Sequence, residues 1–363
     1  MNPGDKAVLR LAIGLGLAVL VSYGLGMKLP FVACMMTVLL LCKPGPPIPF
    51  VKGMVLVVVV GCLLAAGVLM VPVLEHYAVA GVVLTGALLY AVYLAGARRA
   101  NPLTVILVIA FAAIPVAGVA EQALAAALGK AMAVGLGIGI LVSGVSHAFF
   151  PDAPAPASAG PAPTPVAVSS EAAHRAALQA TLVIMPVFVL ALNNPAAFLP
   201  AIMKSGALGQ QAGSTGAGSA GRELVGSTFV SALMATAVWL GLSLWPTLWM
   251  LVLWMMAAAF WAGRRLFRVR PTRWPPTFWA NALVTMLILL GPAIEDSAVG
   301  KDVYTAAITR VALFIGVAFY AWATVFLFER WLAARSDRLG RAKTSGHPDD
   351  RLRVDGTRTD QAE

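Results

Sequence analysis

Runs of about twenty apolar residues recur along nearly the whole chain, and each is long enough to cross the ~30 Å hydrocarbon core of a bilayer as a helix. In that solvent every backbone N–H and C=O must be paired internally, so such a chain folds as a helical bundle or a closed barrel. The runs are continuous rather than alternating, which selects helices. Windows of this kind fall near residues 7–27, 53–74, 78–96, 102–120 and 129–150, with a shorter run at 29–42. The plan returns at 175–192, 195–207, 223–245, 247–263, 274–294 and 304–328. The 363 residues are 60% hydrophobic and 12% charged, more apolar surface than a soluble core can hide. The expected class is therefore an all-α polytopic membrane protein with about twelve transmembrane helices. The first run follows Lys6 and Arg10 as a signal peptide would, but it is too long for one and leads into further spans, so it is kept as the first helix.

The net charge of +10 does not point to nucleic acid, because the basic residues sit in short loops and the tail rather than on an amphipathic face. They alternate instead, as the positive-inside rule requires of a chain that crosses repeatedly. One side collects Lys6 and Arg10, Lys43 and Lys52, Arg98 and Arg99, Arg175, Lys204 and Arg222, the cluster Arg264, Arg265, Arg268, Arg270 and Arg273, and the tail from Arg330. The other holds Glu75, Glu121, Glu295, Asp296 and Asp302, with Lys28 and Lys301 as exceptions. Both termini are expected in the cytoplasm. Residues 1–150 form a first membrane unit and 173–332 a second; 151–172 is a Pro/Ala-rich cytoplasmic linker, and 333–363 a charged tail expected to be disordered. Cys34, Cys42 and Cys62 lie in or beside apolar runs without ligand spacing, and are read as small core hydrophobes.

The two units repeat one another. Arg10 and Arg175 are 165 residues apart, as are Pro30 and Pro195, and Arg98 and Arg264 are 166 apart. Six segments per unit, an even number, make the repeats parallel, related by an axis along the membrane normal. Lys130 and Arg310, 180 apart, each lead a long apolar run that closes its unit. Charges at membrane depth are expensive and mark pathways or partners. The competing reading is that both cations snorkel at the outer interface or pair with Glu121 or Asp302. Short, Pro-broken segments at matching places point to a transporter site, which brings in Pro30, Phe31, Thr37, Asn193, Asn194, Pro195 and Phe198. Plain turns between antiparallel helices would leave the same pattern.

The stretch RLAIGLGLAVLVSYGLGMKLPFVACMMTVLLLCKPG at residues 10–45 resembles the first helical hairpin of the fusaric acid resistance and aromatic acid exporter superfamily. The closing RVALFIGVAFYAW at 310–322 is similar to that superfamily as well. The resemblance implies a bacterial inner-membrane exporter of aromatic or other organic acids, driven by the proton gradient and in some members served by a periplasmic adaptor protein. Larger members place a sizeable cytoplasmic domain between the halves, where this chain has its linker alone, as in a compact branch.

Further polar residues complete the survey. Arg222 and Glu223 in GRELVG suit an ion pair, a gate or a helix start, and the helix start is preferred for Glu223, since an acid is favourable in a first turn. His147 sits at the cytoplasmic end of its segment, where an interfacial role outweighs a proton-carrying one. Four scattered histidines form no metal-ligand set, no nucleophile elbow is present, and GALGQQAGSTGAGSAGRE lacks the ending of a phosphate-binding loop. Enzymatic chemistry, a cofactor and ATP drive are therefore not expected. What remains is a secondary transporter whose partners are the bilayer and a small organic anion held by Lys130 and Arg310, or a non-transporting membrane component of an envelope assembly. The sequence leaves a homo-oligomer open.

Overall fold

The computed structural model describes residues 2–43, 45–99, 104–151, 169–214, 217–298 and 303–345, and among these every regular element is a helix. In chain order they are α1 (Pro3–Gly24), α2 (Pro30–Leu41), α3 (Phe50–Val68), α4 (Met70–His76), α5 (Ala78–Arg99), α6 (Thr104–Ala120), α7 (Gln122–Phe149), α8 (Ser170–Asn193), α9 (Pro195–Ser214), α10 (Ala217–Leu244), α11 (Leu248–Leu266), α12 (Pro276–Ala298) and α13 (Val303–Ser345). Counting α3 and α4 together, eight candidate spans are long and apolar enough to cross a membrane: α1, α3–α4, α5, α7, α8, α10, α12 and α13. The apolar α2 and α6 are shorter, and α9 and α11 fall in neither group. The chain is thus an all-helical protein of multi-pass membrane character.

The break between α3 and α4 has a local cause. Pro72 lacks an N–H, and its ring meets the carbonyl of the residue four places back, Val68, where α3 ends. Pro30 and Pro195 each open a helix, where the missing N–H costs nothing and the fixed φ favours the first turn.

α2 is the most enclosed element, with ten of its twelve residues buried between α1, α7 and α12. At 1.5 Å per residue it spans about 18 Å, and its all-round apolar surface is that of a core helix. Outward-facing Val51, Val55, Val58 and Val59 on α3, Val79 and Val83 on α5, and Phe229 and Leu233 on α10 leave an exposed apolar girdle, which suits lipid rather than water. Cys62 belongs to this exposed surface, while Cys34 is in the core.

Two cavities mark opposite ends of the bundle. One is lined by Gly26 to Pro30 of the α1–α2 turn, by Glu121 and Leu124 of the α6–α7 turn and by Glu295 near the end of α12. The other is lined by the start of α1 and α12 and the ends of α2, α7 and α11. Consecutive helices therefore reverse direction. Lys6 Nζ donates to the carbonyl of Pro151 at 2.9 Å, and Arg98 donates to Ser170 at 3.4 Å, so the segment before the linker and the segment after it reach the end where α1 begins.

Three expected boundaries are corrected. The segment placed at 195–207 continues to Ser214, and the one placed at 223 begins at Ala217. α13 stays helical to Ser345, past the expected boundary at 333, because FERWLAARSDRLGRAK is rich in Ala, Leu and Arg, which favour helix whether or not lipid surrounds them. Residues 152–168 of the linker and 346–363 of the tail lie outside the described residues.

Candidate functional site

α9 carries the charge that the bundle hides most completely. Lys204 has no exposed surface, and among the described residues its one polar partner is Thr285 of α12, whose Oγ1 accepts from Nζ at 2.6 Å. Lys204 is nine residues from the start of α9, and Thr285 nine from the start of α12. The two helices begin at opposite ends of the bundle, so the contact lies about 14 Å from either start.

A polar seam between α10 and α12 adjoins this lysine. Asn281, one turn before Thr285 on the same face, donates to Ser227 Oγ on α10 at 2.9 Å, while its buried Oδ1 has no partner among the described residues. Ser227 in turn donates to the carbonyl of Leu224, as does Thr228, and Ser231 donates to that of Thr228. These back-bonds satisfy hydroxyl protons within one helix and leave oxygen lone pairs facing inward. Glu223, Ser227 and Ser231 follow at four-residue intervals along α10, and all three are buried. Close by, Tyr93 of α5 donates to the carbonyl of Gly206 at 3.2 Å, tying α9 to the first unit. The arrangement offers a buried ammonium with N–H groups to spare and an open amide oxygen one turn away. It can hold a carboxylate, and the lysine can carry or release a proton.

The expected anion site is not assembled. Lys130 is exposed on α7, Arg310 lies on α13, and these helices do not pack together. Arg310 donates to Asp296 of α12 at 2.6 Å with both side chains largely covered, an ion pair with a different partner from the expected Asp302. Asp302 itself lies outside the described residues.

Of the other expected residues, Pro30 lines the cavity at the α1–α2 turn, about 530 Å³, with Tyr23, Lys28, Glu121 and Glu295. Phe31 is buried against Gly291 of α12. Thr37 is buried with its hydroxyl bonded to the carbonyl of Ala33, a core role. Asn193 is exposed and donates to the carbonyl of Val189; Asn194 is exposed between α8 and α9, and Pro195 and Phe198 are half-buried. Arg222 is exposed and Glu223 buried, with no ion pair between them among the described residues. Glu223 is not a first-turn acid either, since α10 starts six residues earlier.

The positive-inside pattern groups Lys204 with the cytoplasmic loops, because that rule treats every Lys as a loop marker. The signal that places it inside is Pro195, which fixes where α9 begins and so puts Lys204 more than two turns down an apolar run.

The family model that matches the chain, described as a protein of unknown function (DUF2955), covers residues 7–145, from within α1 to within α7. No curated protein and no solved structure matches.

Proposed function

We propose that this protein is a secondary transporter of the bacterial inner membrane that exports aromatic or other organic acids, driven by the proton gradient, with Lys204 as the group that meets the anion. The observation that carries the proposal is the fully buried Lys204, bonded to a hydroxyl and, among the described residues, to no carboxylate. A structural lysine would be expected beside an acid, because burying a lone ammonium costs several kcal/mol (order of magnitude) that nothing else offsets. A site that takes a carboxylate as cargo needs that vacancy. The same amine supplies the titratable group that proton coupling requires.

In this reading the chain crosses twelve times as two parallel six-helix repeats, with the linker and both termini in the cytoplasm. Two pairs of contacts support it. α1 packs on α11 and α5 on α8; α2 packs on α12 and α6 on α9. Exchanging the first six segments for the second six, with α3 and α4 as one segment, converts each contact into its mate. The anion site then lies near the seam between the repeats, where α9 meets α6 and α5, rather than at Lys130 and Arg310.

Proteoliposomes of the full chain test this with phthalate, an aromatic dianion that crosses bare lipid slowly. Under an imposed pH gradient the wild type should move phthalate well above protein-free liposomes, and Lys204→Met should lower the rate at least ten-fold at equal reconstitution. No flux with phthalate or other aromatic and aliphatic carboxylates would favour a non-transporting envelope component. Flux unchanged in Lys204→Met would remove Lys204 from the pathway.

A further inference from the structure

The cavity at the end where α1 begins, about 410 Å³, is formed where five helices start or stop. Its wall carries three cations, Arg10 of α1, Lys43 after α2 and Arg268 after α11, and among the described residues no carboxylate. Arg10 is only 7% exposed and is anchored inside the protein. His147 completes the wall, with its ring nitrogens facing the carbonyls of Ser143 at 2.7 Å and Gly45 at 3.2 Å.

Arg268 occupies an unusual backbone position. α11 closes with Phe267 N–H on Gly263 and Arg270 N–H on Arg264, and the reversal holds Arg268 at φ 56°, the left-handed conformation that glycine usually supplies at a helix C-terminus. The chain accepts the strain of a large residue there, and Arg268 lines the cavity. Depth is given by the neighbouring aromatics. The Arg265 guanidinium lies 3.9 Å from the Trp261 ring centre and 5.1 Å from that of Trp279, and Trp274 stacks on Phe278 at 4.5 Å. Such Trp and Arg belts mark the level of lipid headgroups.

We propose that this cavity binds a phosphate group between Arg10, Lys43 and Arg268. Guanidinium forks and a lysine point charge together match the tetrahedral oxygens of phosphate, and basic pockets between helix ends at headgroup depth suit anionic lipids. The same chemistry serves inorganic phosphate from solution or the headgroup of a phospholipid entering from the side. The inference goes beyond the transport reading and stands without it.

The full chain in phosphatidylcholine nanodiscs supplies the test. The thermal midpoint is followed while inorganic phosphate replaces chloride at constant ionic strength, and separately in discs with a share of phosphatidylglycerol. At least one arm should raise the midpoint. A response to phosphate alone assigns a solute, and a response to phosphatidylglycerol alone a lipid. Lys43→Gln and Arg268→Gly should each lose at least half of the shift, and Lys28→Gln, at the opposite end, should keep it. Glycine suits the backbone at 268, so folding is preserved while the charge is removed. The proposal is overturned by no shift in either arm, by a full shift in Lys43→Gln or Arg268→Gly, or by an equal loss in Lys28→Gln.

Discussion

Lys204 and Arg310 show two ways of keeping a cation out of water. Arg310 has a carboxylate at 2.6 Å, whereas Lys204, among the described residues, has the Thr285 hydroxyl alone. Thr285→Val keeps the shape of the side chain and removes the acceptor, so it should cost about 1–3 kcal/mol, the penalty of an unpaired buried polar group. Lys204→Met removes the demand itself, and by the logic of buried charges it should be neutral or stabilising. The double variant should then sit near Lys204→Met rather than at the sum of the two effects. Unfolding midpoints of the four proteins in one detergent measure this coupling, and strict additivity would mean that the bond contributes nothing to stability. Lys204 is the harder of the two to read from sequence. A loop-counting rule puts it at a cytoplasmic end, whereas the helix start at Pro195 puts it more than two turns inside α9, where α12 packs on that helix.

At the scale of elements, α2 was legible in the sequence as a short helix opened by a proline, but its partners were not. Close packing there depends on small residues of its neighbours. A Cβ at Gly291 of α12 would lie 2.3–2.6 Å from Phe31, and one at Gly135 of α7 would lie 2.8 Å from the Ala33 backbone. Gly135→Ala meets main chain that cannot rotate away, so α7 must move; a cost of about 1–3 kcal/mol is expected from overpacking. Gly61→Ala, on α3 with nothing within 4 Å of the added carbon, should instead be neutral or gain up to about 1 kcal/mol from helix propensity. Thermal midpoints in detergent check both. Equal effects at the two positions would show that the close approach of α2 and α7 is not a constraint. Single-residue periodicity carries no such information, because glycines facing a helix and glycines facing lipid look alike in the run. The interior prolines Pro115 of α6 and Pro292 of α12 are similar: visible as letters, yet explained only by neighbours that enclose both helices.

For the whole molecule, an apolar run overlaps each described helix, since lipid demands long continuous segments, although one run covers both α3 and α4; the runs could not say how deeply α2, α6, α9 and α11 reach, because length and composition are ambiguous for short or charged runs. Reversal of direction at each turn constrains the answer. If all twelve segments cross, positions at the α1–α2, α4–α5 and α10–α11 turns lie on one side, and those at the start of α3 and the end of α7 on the other. Leu25, Tyr77 and Trp245 are exposed at the first set, and Phe50 and Phe149 at the second, so each accepts a single cysteine once the three native ones are replaced. A membrane-impermeant maleimide applied to intact spheroplasts should label Leu25→Cys, Tyr77→Cys and Trp245→Cys, and should reach Phe50→Cys and Phe149→Cys only after lysis. Phe149 is the deciding position, because it closes the first unit: six crossings return the chain to the side where it began and make the second unit a parallel copy. Labelling of Phe149→Cys from outside would leave an odd number of crossings in the first unit, invert the second, and require the basic residues around Arg264 to face the periplasm against the positive-inside rule.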